Sequence, residues 1–112
     1  MLYMSEINLN GLFYHKNKID YNYLYILKNK ILLICSSIES PKMILRKINT
    51  NSIHFEAFNI SLNKNNFNFS INNQEGLTDY WGTVLNKNEI KLNFTNYING
   101  NSEFDLIFKK VS

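Results

Sequence analysis

From Ala57 to Lys110 the chain repeats one pattern: apolar residues at every second position, interrupted by short turns rich in Asn and Lys. Phe58, Ile60 and Leu62 precede Asn63-Lys64-Asn65-Asn66, and Phe67, Phe69 and Ile71 follow. Trp81, Thr83 and Leu85 precede Asn86-Lys87-Asn88-Glu89, and Ile90, Leu92 and Phe94 follow. A period of two sets one face of each strand in a core and the other in water. The expected fold class is all-β, an antiparallel up-and-down meander of about eight strands closing into a small barrel.

Strands are expected over about 7–14, 21–27, 31–36, 53–62, 67–72, 78–85, 90–95 and 104–111. In the fourth, Ala57 shifts the phase between Phe55 and Phe58, so a bulge is expected there. The chain's single proline, Pro41, follows Ser40, a side chain suited to cap a helix whose first position tolerates proline. A short helix is therefore expected near residues 41–48. Its Ile44, Leu45 and Ile48 would face the sheet or plug one end of the barrel.

Counting across the turns gives a register. With Lys87-Asn88 at the centre of one turn, Leu85 opposes Ile90, Thr83 opposes Leu92 and Trp81 opposes Phe94. With Lys64-Asn65 at the centre of the other, Leu62 opposes Phe67, Ile60 opposes Phe69 and Phe58 opposes Ile71. Opposed residues share a face, so Phe58, Trp81, Thr83 and Phe94 are expected to line the interior, where they are the candidate ligand-binding residues. Gly82 is expected at a bend or a close backbone approach. The second strand leaves two phases open. Tyr21, Tyr23 and Tyr25 share one face and Leu24 and Ile26 the other. An outward tyrosine ladder would suit a protein partner, because tyrosine is enriched at interfaces.

At 112 residues the chain is read as one domain spanning 1–112. Its net charge of +3 is spread along the sequence, with Arg46-Lys47 and Lys109-Lys110 the adjacent basic pairs. Nucleic-acid binding is not expected from so dispersed a pattern. Asn, Ile and Lys dominate as AT-rich coding would produce, and triplets such as Asn59-Ile60-Ser61 follow from that composition. Cys35 is the single cysteine, so no disulfide can form within the chain. The first residues lack a basic and then apolar leader pattern, and no run reaches membrane-spanning length. A cytoplasmic protein without membrane contact is expected.

No catalytic constellation stands out, so no enzyme activity is expected. His15 and His54 are read as solvent-facing strand residues, and Cys35 as a small buried hydrophobe. No Cys-x-x-Cys, His-x-x-x-His or acidic cluster points to a metal, and no cofactor is expected.

Several segments together resemble a lipocalin-like, or calycin-like, group of small bacterial β-barrels. They are Gly11-Leu12-Phe13-Tyr14, Tyr23-Leu24-Tyr25-Ile26, Ser36-Ser37 ahead of the helix, Gln74 through Val84, Asn96 through Gly100, and Phe104 through Phe108. The resemblance implies a barrel with a helix between its third and fourth strands, and carries no catalytic residues. The expected function is non-catalytic binding of a small molecule in the lumen or mouth. The alternatives are an interaction module, such as an inhibitor or immunity-type protein masking a partner through Tyr21, Tyr23 and Tyr25, or sequestration of an anionic nucleotide-like signal.

Overall fold

The computed structural model describes residues 10–74 and 76–111. Strands β1 (Gly11–Lys16), β2 (Tyr21–Leu27) and β3 (Lys30–Ser37) lead into helix α1 (Pro41–Asn49). Then come β4 (Phe58–Asn59), β5 (Ser61–Asn63), β6 (Asn66–Asn73), β7 (Gly76–Asn86), β8 (Glu89–Asn96) and β9 (Ser102–Lys110). All pairings are antiparallel, and the order is β4-β3-β2-β1-β9-β8-β7-β6-β5. β1 joins β9, so the first and last strands meet. β4 and β5 are halves of one strand interrupted at Ile60, which makes an eight-stranded, nearly closed barrel. Ile7 to Leu9 of the expected first strand lie outside the described residues.

The seam lies at that broken strand. β4 pairs with β3 only at Lys30 and Ile31, and β5 pairs with β6 only from Asn66 to Asn68. One strand is thus shared between two neighbours, half to each. That division overturns part of the expected register. Leu62 opposes Phe67 as expected, but the chain leaves β6 before Ile60 and Phe58 can oppose Phe69 and Ile71. Residues 53–57 form no strand.

A second correction lies in the β7–β8 hairpin. Asn86 opposes Glu89, but Leu85 is an extra residue, and Val84 rather than Leu85 opposes Ile90. The bulge moves every earlier residue of β7 to the opposite face. Tyr80, Gly82 and Val84 therefore face inward. Trp81 and Leu85 face outward and are 40% and 48% exposed. Gly82 shows why this phase wins. It opposes Phe67 on β6 and Leu92 on β8. A Cβ there would overlap the Lys91 carbonyl oxygen and lie 2.7 Å from the Phe67 ring. The large Phe67 ring occupies the space that Gly82 leaves.

The interior core comprises Phe13, Leu24, Ile26, Ile31, Phe67, Phe69, Ile71, Val84, Ile90, Leu92 and Phe108, with Phe58 and Ile60 packed against it. Leu24 and Ile26 thus point inward, and Tyr21, Tyr23 and Tyr25 point outward. The tyrosine face is not free. Helix α1 lies over it, with Ile44 and Ile48 buried against Leu12 and Tyr23 and with Leu45, Tyr21, Tyr25, Leu33 and Cys35 alongside. The helix starts where Ser40 accepts a hydrogen bond from the Met43 amide and Pro41 opens the first turn. It covers the outside of the barrel rather than plugging an end. Tyr23 is fully buried and its hydroxyl donates to the Glu39 carbonyl at 2.5 Å.

The up-and-down order sorts the connections between two ends. The two-residue turns Lys28-Asn29, Lys64-Asn65 and Lys87-Asn88 lie at one end. The β1–β2 and β8–β9 connections lie at the other, as do the C-termini of β3 and β6.

Candidate lumen site

Toward the two-residue-turn end the buried side chains of Ile26, Ile31, Phe67, Val84 and Ile90 pack the interior, and the other end is hollow. A cavity of about 310 Å³ opens there. Its wall is apolar and aromatic: Ile34, Ile71, Tyr80, Leu92, Phe94 and Phe108. Its polar lining includes Asn22, Ser36, Asn73 and Thr78. The volume is far above the ~10–15 Å³ that one water requires and sits at the lower end of the ~300–1,000 Å³ typical of ligand pockets.

Strand alternation assembles this lining. Asn22 lies two residues before Leu24 on the inner face of β2. Ser36 lies two residues after Ile34 on β3, and opposes Asn22. The Ser36 hydroxyl donates to Asn22 Oδ1 at 2.7 Å. Across the seam, Ile71 opposes Thr78, and Tyr80 opposes both Phe69 and Phe94. The Thr78 hydroxyl oxygen accepts from Asn96 Nδ2 at 2.8 Å. The Tyr80 ring stacks on Phe69 at 4.6 Å and meets Phe94 at 5.7 Å. Burial raises the Tyr80 hydroxyl pKa above its ordinary value, so Tyr80 presents a neutral phenol. The lining contains no Lys, Arg, Asp or Glu.

The cavity reaches the seam. A groove of about 210 Å³ runs along Leu32, Leu33, His54, Glu56 and Phe58, and shares Ile34, Ile71 and Asn73 with the cavity. Among the described residues no ladder pairing joins β3 to β6, so the cavity and the groove communicate between these two strands.

Of the four residues expected inside, the structure places Phe94 in the lining and Phe58 against the core nearer the seam. Trp81 and Thr83 are corrected: the Leu85 bulge turns both outward. Trp81 meets Phe104 with ring centres 6.0 Å apart, and the Thr83 hydroxyl donates to Asn66 Oδ1 at 2.9 Å. The Tyr21, Tyr23 and Tyr25 ladder is corrected too, because α1 covers it. Asn22, Ser36, Asn73, Thr78 and Tyr80 were missed. The sequence signal for Asn22 was its place between two tyrosines, in phase with Leu24 and Ile26.

His15 is another correction. It shares the inner face of β1 with Phe13, lies 5.7 Å from the Phe108 ring, and hydrogen-bonds through Nδ1 to the Ile107 carbonyl at 3.0 Å. Because a carbonyl can only accept, Nδ1 carries the proton. Cys35 lies on the other face of the sheet, in the α1 layer, where burial raises its thiol pKa. The two cannot act as a nucleophile and base, since the sheet separates them. No group of three His, Cys, Asp or Glu side chains able to hold a metal occurs among the described residues. No helix among them is long and apolar enough to cross a membrane.

On the outer face, Asn93 is buried opposite Trp81. Its Nδ2 donates to the Trp81 carbonyl at 3.1 Å, and its Oδ1 accepts from the Asp105 amide at 2.7 Å. Asp105 holds a left-handed φ of 58° at the β8–β9 register shift. Next on β7, Asp79 accepts from Ser70 at 2.5 Å and from the Tyr97 hydroxyl at 2.9 Å. These bonds lower the carboxyl pKa, and the same contact raises that of Tyr97.

No family model and no curated protein matches the chain. Among solved structures it is similar to the crystal structure of Treponema pallidum Tp0751 (Pallilysin), with a TM-score of 0.56 and 12% identity, over 93% of this chain and 79% of that one. At that identity the likeness establishes a shared β-barrel fold and nothing finer.

Proposed function

We propose that this protein binds a small, uncharged, partly aromatic molecule in the half-filled lumen, without transforming it. The observation carrying this reading is the cavity of about 310 Å³ walled by Tyr80, Phe94 and Phe108 and edged by amides and hydroxyls. Apolar walls with a few placed polar groups are the usual make-up of ligand sites. The uncharged lining disfavours an anionic nucleotide, which needs a compensating cation. A thermal-shift screen of neutral heteroaromatic compounds tests the reading. Stabilising compounds are expected to lose their effect on Ser36→Phe, which fills the mouth from an exposed position, and to keep it on Trp81→Ser. No stabilising compound, or one that depends on Trp81 instead, would refute it.

A second reading is an interaction module. Trp81, Leu85, Tyr97 and Phe104 are large, exposed apolar groups on β7–β9 and the β8–β9 connection, and Asp79 and Asp105 bring negative charge to that region. An aromatic pair beside carboxylates suits a partner's Arg or Lys side chain. Loss of partner capture by Trp81→Ser and Phe104→Ser, with the fold intact, is the expected result. Capture unchanged by both substitutions would exclude this surface.

A further inference from the structure

The basic residues look dispersed in the sequence, but the fold gathers half of them. Of the twelve Lys and Arg residues, Lys28, Lys30, Lys64, Lys87, Lys109 and Lys110 converge at the two-residue-turn end. Topology forces this. Each of the three turns is a Lys-Asn pair, Lys30 begins β3, and β9 ends beside the β7–β8 turn, where the Lys110 amide donates to the Asn88 carbonyl at 2.8 Å. All six lysines are exposed. Among the described residues Glu89, opposite Lys109, is the single carboxylate at this end.

Two of these lysines occupy costly positions. Lys28 and Lys64 have φ of 53° and 57°, the left-handed region that Gly and Asn adopt more readily. Hairpin turns of this length ordinarily use Asn or Gly where the backbone demands such angles. Strain of this kind directs attention to function. Leu27 and Leu85, each adjoining a turn, are exposed apolar residues at the same end.

We infer that the two-residue-turn end docks on an anionic phospholipid surface, with Lys28, Lys64, Lys87, Lys109 and Lys110 meeting the headgroup phosphates. Charge complementarity selects the occupant. The cluster consists of lysines, compact hydrated charges that need no fixed geometry, and the chain's single arginine lies on α1, away from it. Bases stack on aromatic platforms, and the exposed apolar groups flanking this cluster are aliphatic. Docking in this way holds the cavity mouth, at the opposite end, away from the bilayer and open to solvent.

Co-sedimentation with vesicles tests the inference. The protein is expected to pellet with equimolar phosphatidylglycerol and phosphatidylcholine, to stay in solution with phosphatidylcholine alone, and to leave the vesicles as salt rises. The exposed triple variant Lys28→Gln, Lys64→Gln, Lys87→Gln should lower the partition by about a hundredfold. Lys16→Gln with Lys42→Gln, remote from this end, should leave it unchanged. Failure to pellet with the anionic vesicles would overturn the inference. So would equal loss in both variants, or tighter binding to an oligonucleotide duplex than to the vesicles. Lumen ligand binding is independent of all these outcomes.

Discussion

Phe67 lies across Gly82, its ring occupying the place where a side chain at position 82 would stand. This contact locks the phase of β7, turning Tyr80 and Val84 inward and Trp81 outward. Gly82→Ala would press a methyl group against the Lys91 carbonyl as well as the ring. It is expected to cost about 1–3 kcal/mol in chemical denaturation. Adding Phe67→Leu should recover only part, because the carbonyl contact remains.

Asn93 ties three strands on the outer face. Asn93→Ala leaves the half-buried Trp81 carbonyl and Asp105 amide without their side-chain partner. A loss of about 1–3 kcal/mol is expected. Because Trp81 is the chain's single tryptophan, its fluorescence reports the site. Its emission should shift to longer wavelength as Phe104 loses its support.

Tyr23 is pushed up to about 12 by its burial first and by neighbouring negative charge second. An exposed tyrosine in the unfolded chain titrates at about 10. Below that pH both states keep the proton. From there to about 12 the unfolded chain ionises while the folded one holds the proton, so folding stability falls as pH rises. Thermal denaturation across this window should show a steeper loss for the wild type than for Tyr23→Phe. Equal slopes would place the titration elsewhere.

Removing the tyrosines tests structure rather than recognition. Tyr23→Ser empties space beneath Ile44 and Ile48 and is expected to cost about 3–5 kcal/mol, as other large aromatic truncations do. A folded, stable variant would contradict the packing of α1 on this face.

The meander, the helix and the inward phase of β6 were legible because alternation and capping are local. Asn63-Lys64-Asn65-Asn66 specified its turn and the first opposed pair, Leu62 and Phe67. The phase of β7 was not legible. Trp81, Thr83 and Leu85 alternate as well as Tyr80, Gly82 and Val84 do, and the choice rests on Phe67, a residue of another strand. The break at Ile60 was hidden for a similar reason: closure divides one strand between β3 and β6, which no local pattern records. The cavity lining consists of Asn, Ser and Thr in inward phase near strand ends, where polar residues also suit a solvent face. The lysine cluster was invisible as well, since its members are separated in sequence and meet only when alternate turns stack at one end.

Where a ligand sits is tested most directly by amide chemical-shift mapping of the ¹⁵N-labelled protein, titrated with a compound from the thermal-shift screen. Binding in the lumen predicts the largest shifts at Asn22, Ser36, Asn73, Thr78 and Phe94, with the Trp81 indole N–H and the Phe104 amide unmoved. Saturable shifts confined to Trp81, Phe104 and their neighbours, with the cavity amides unchanged, would contradict it.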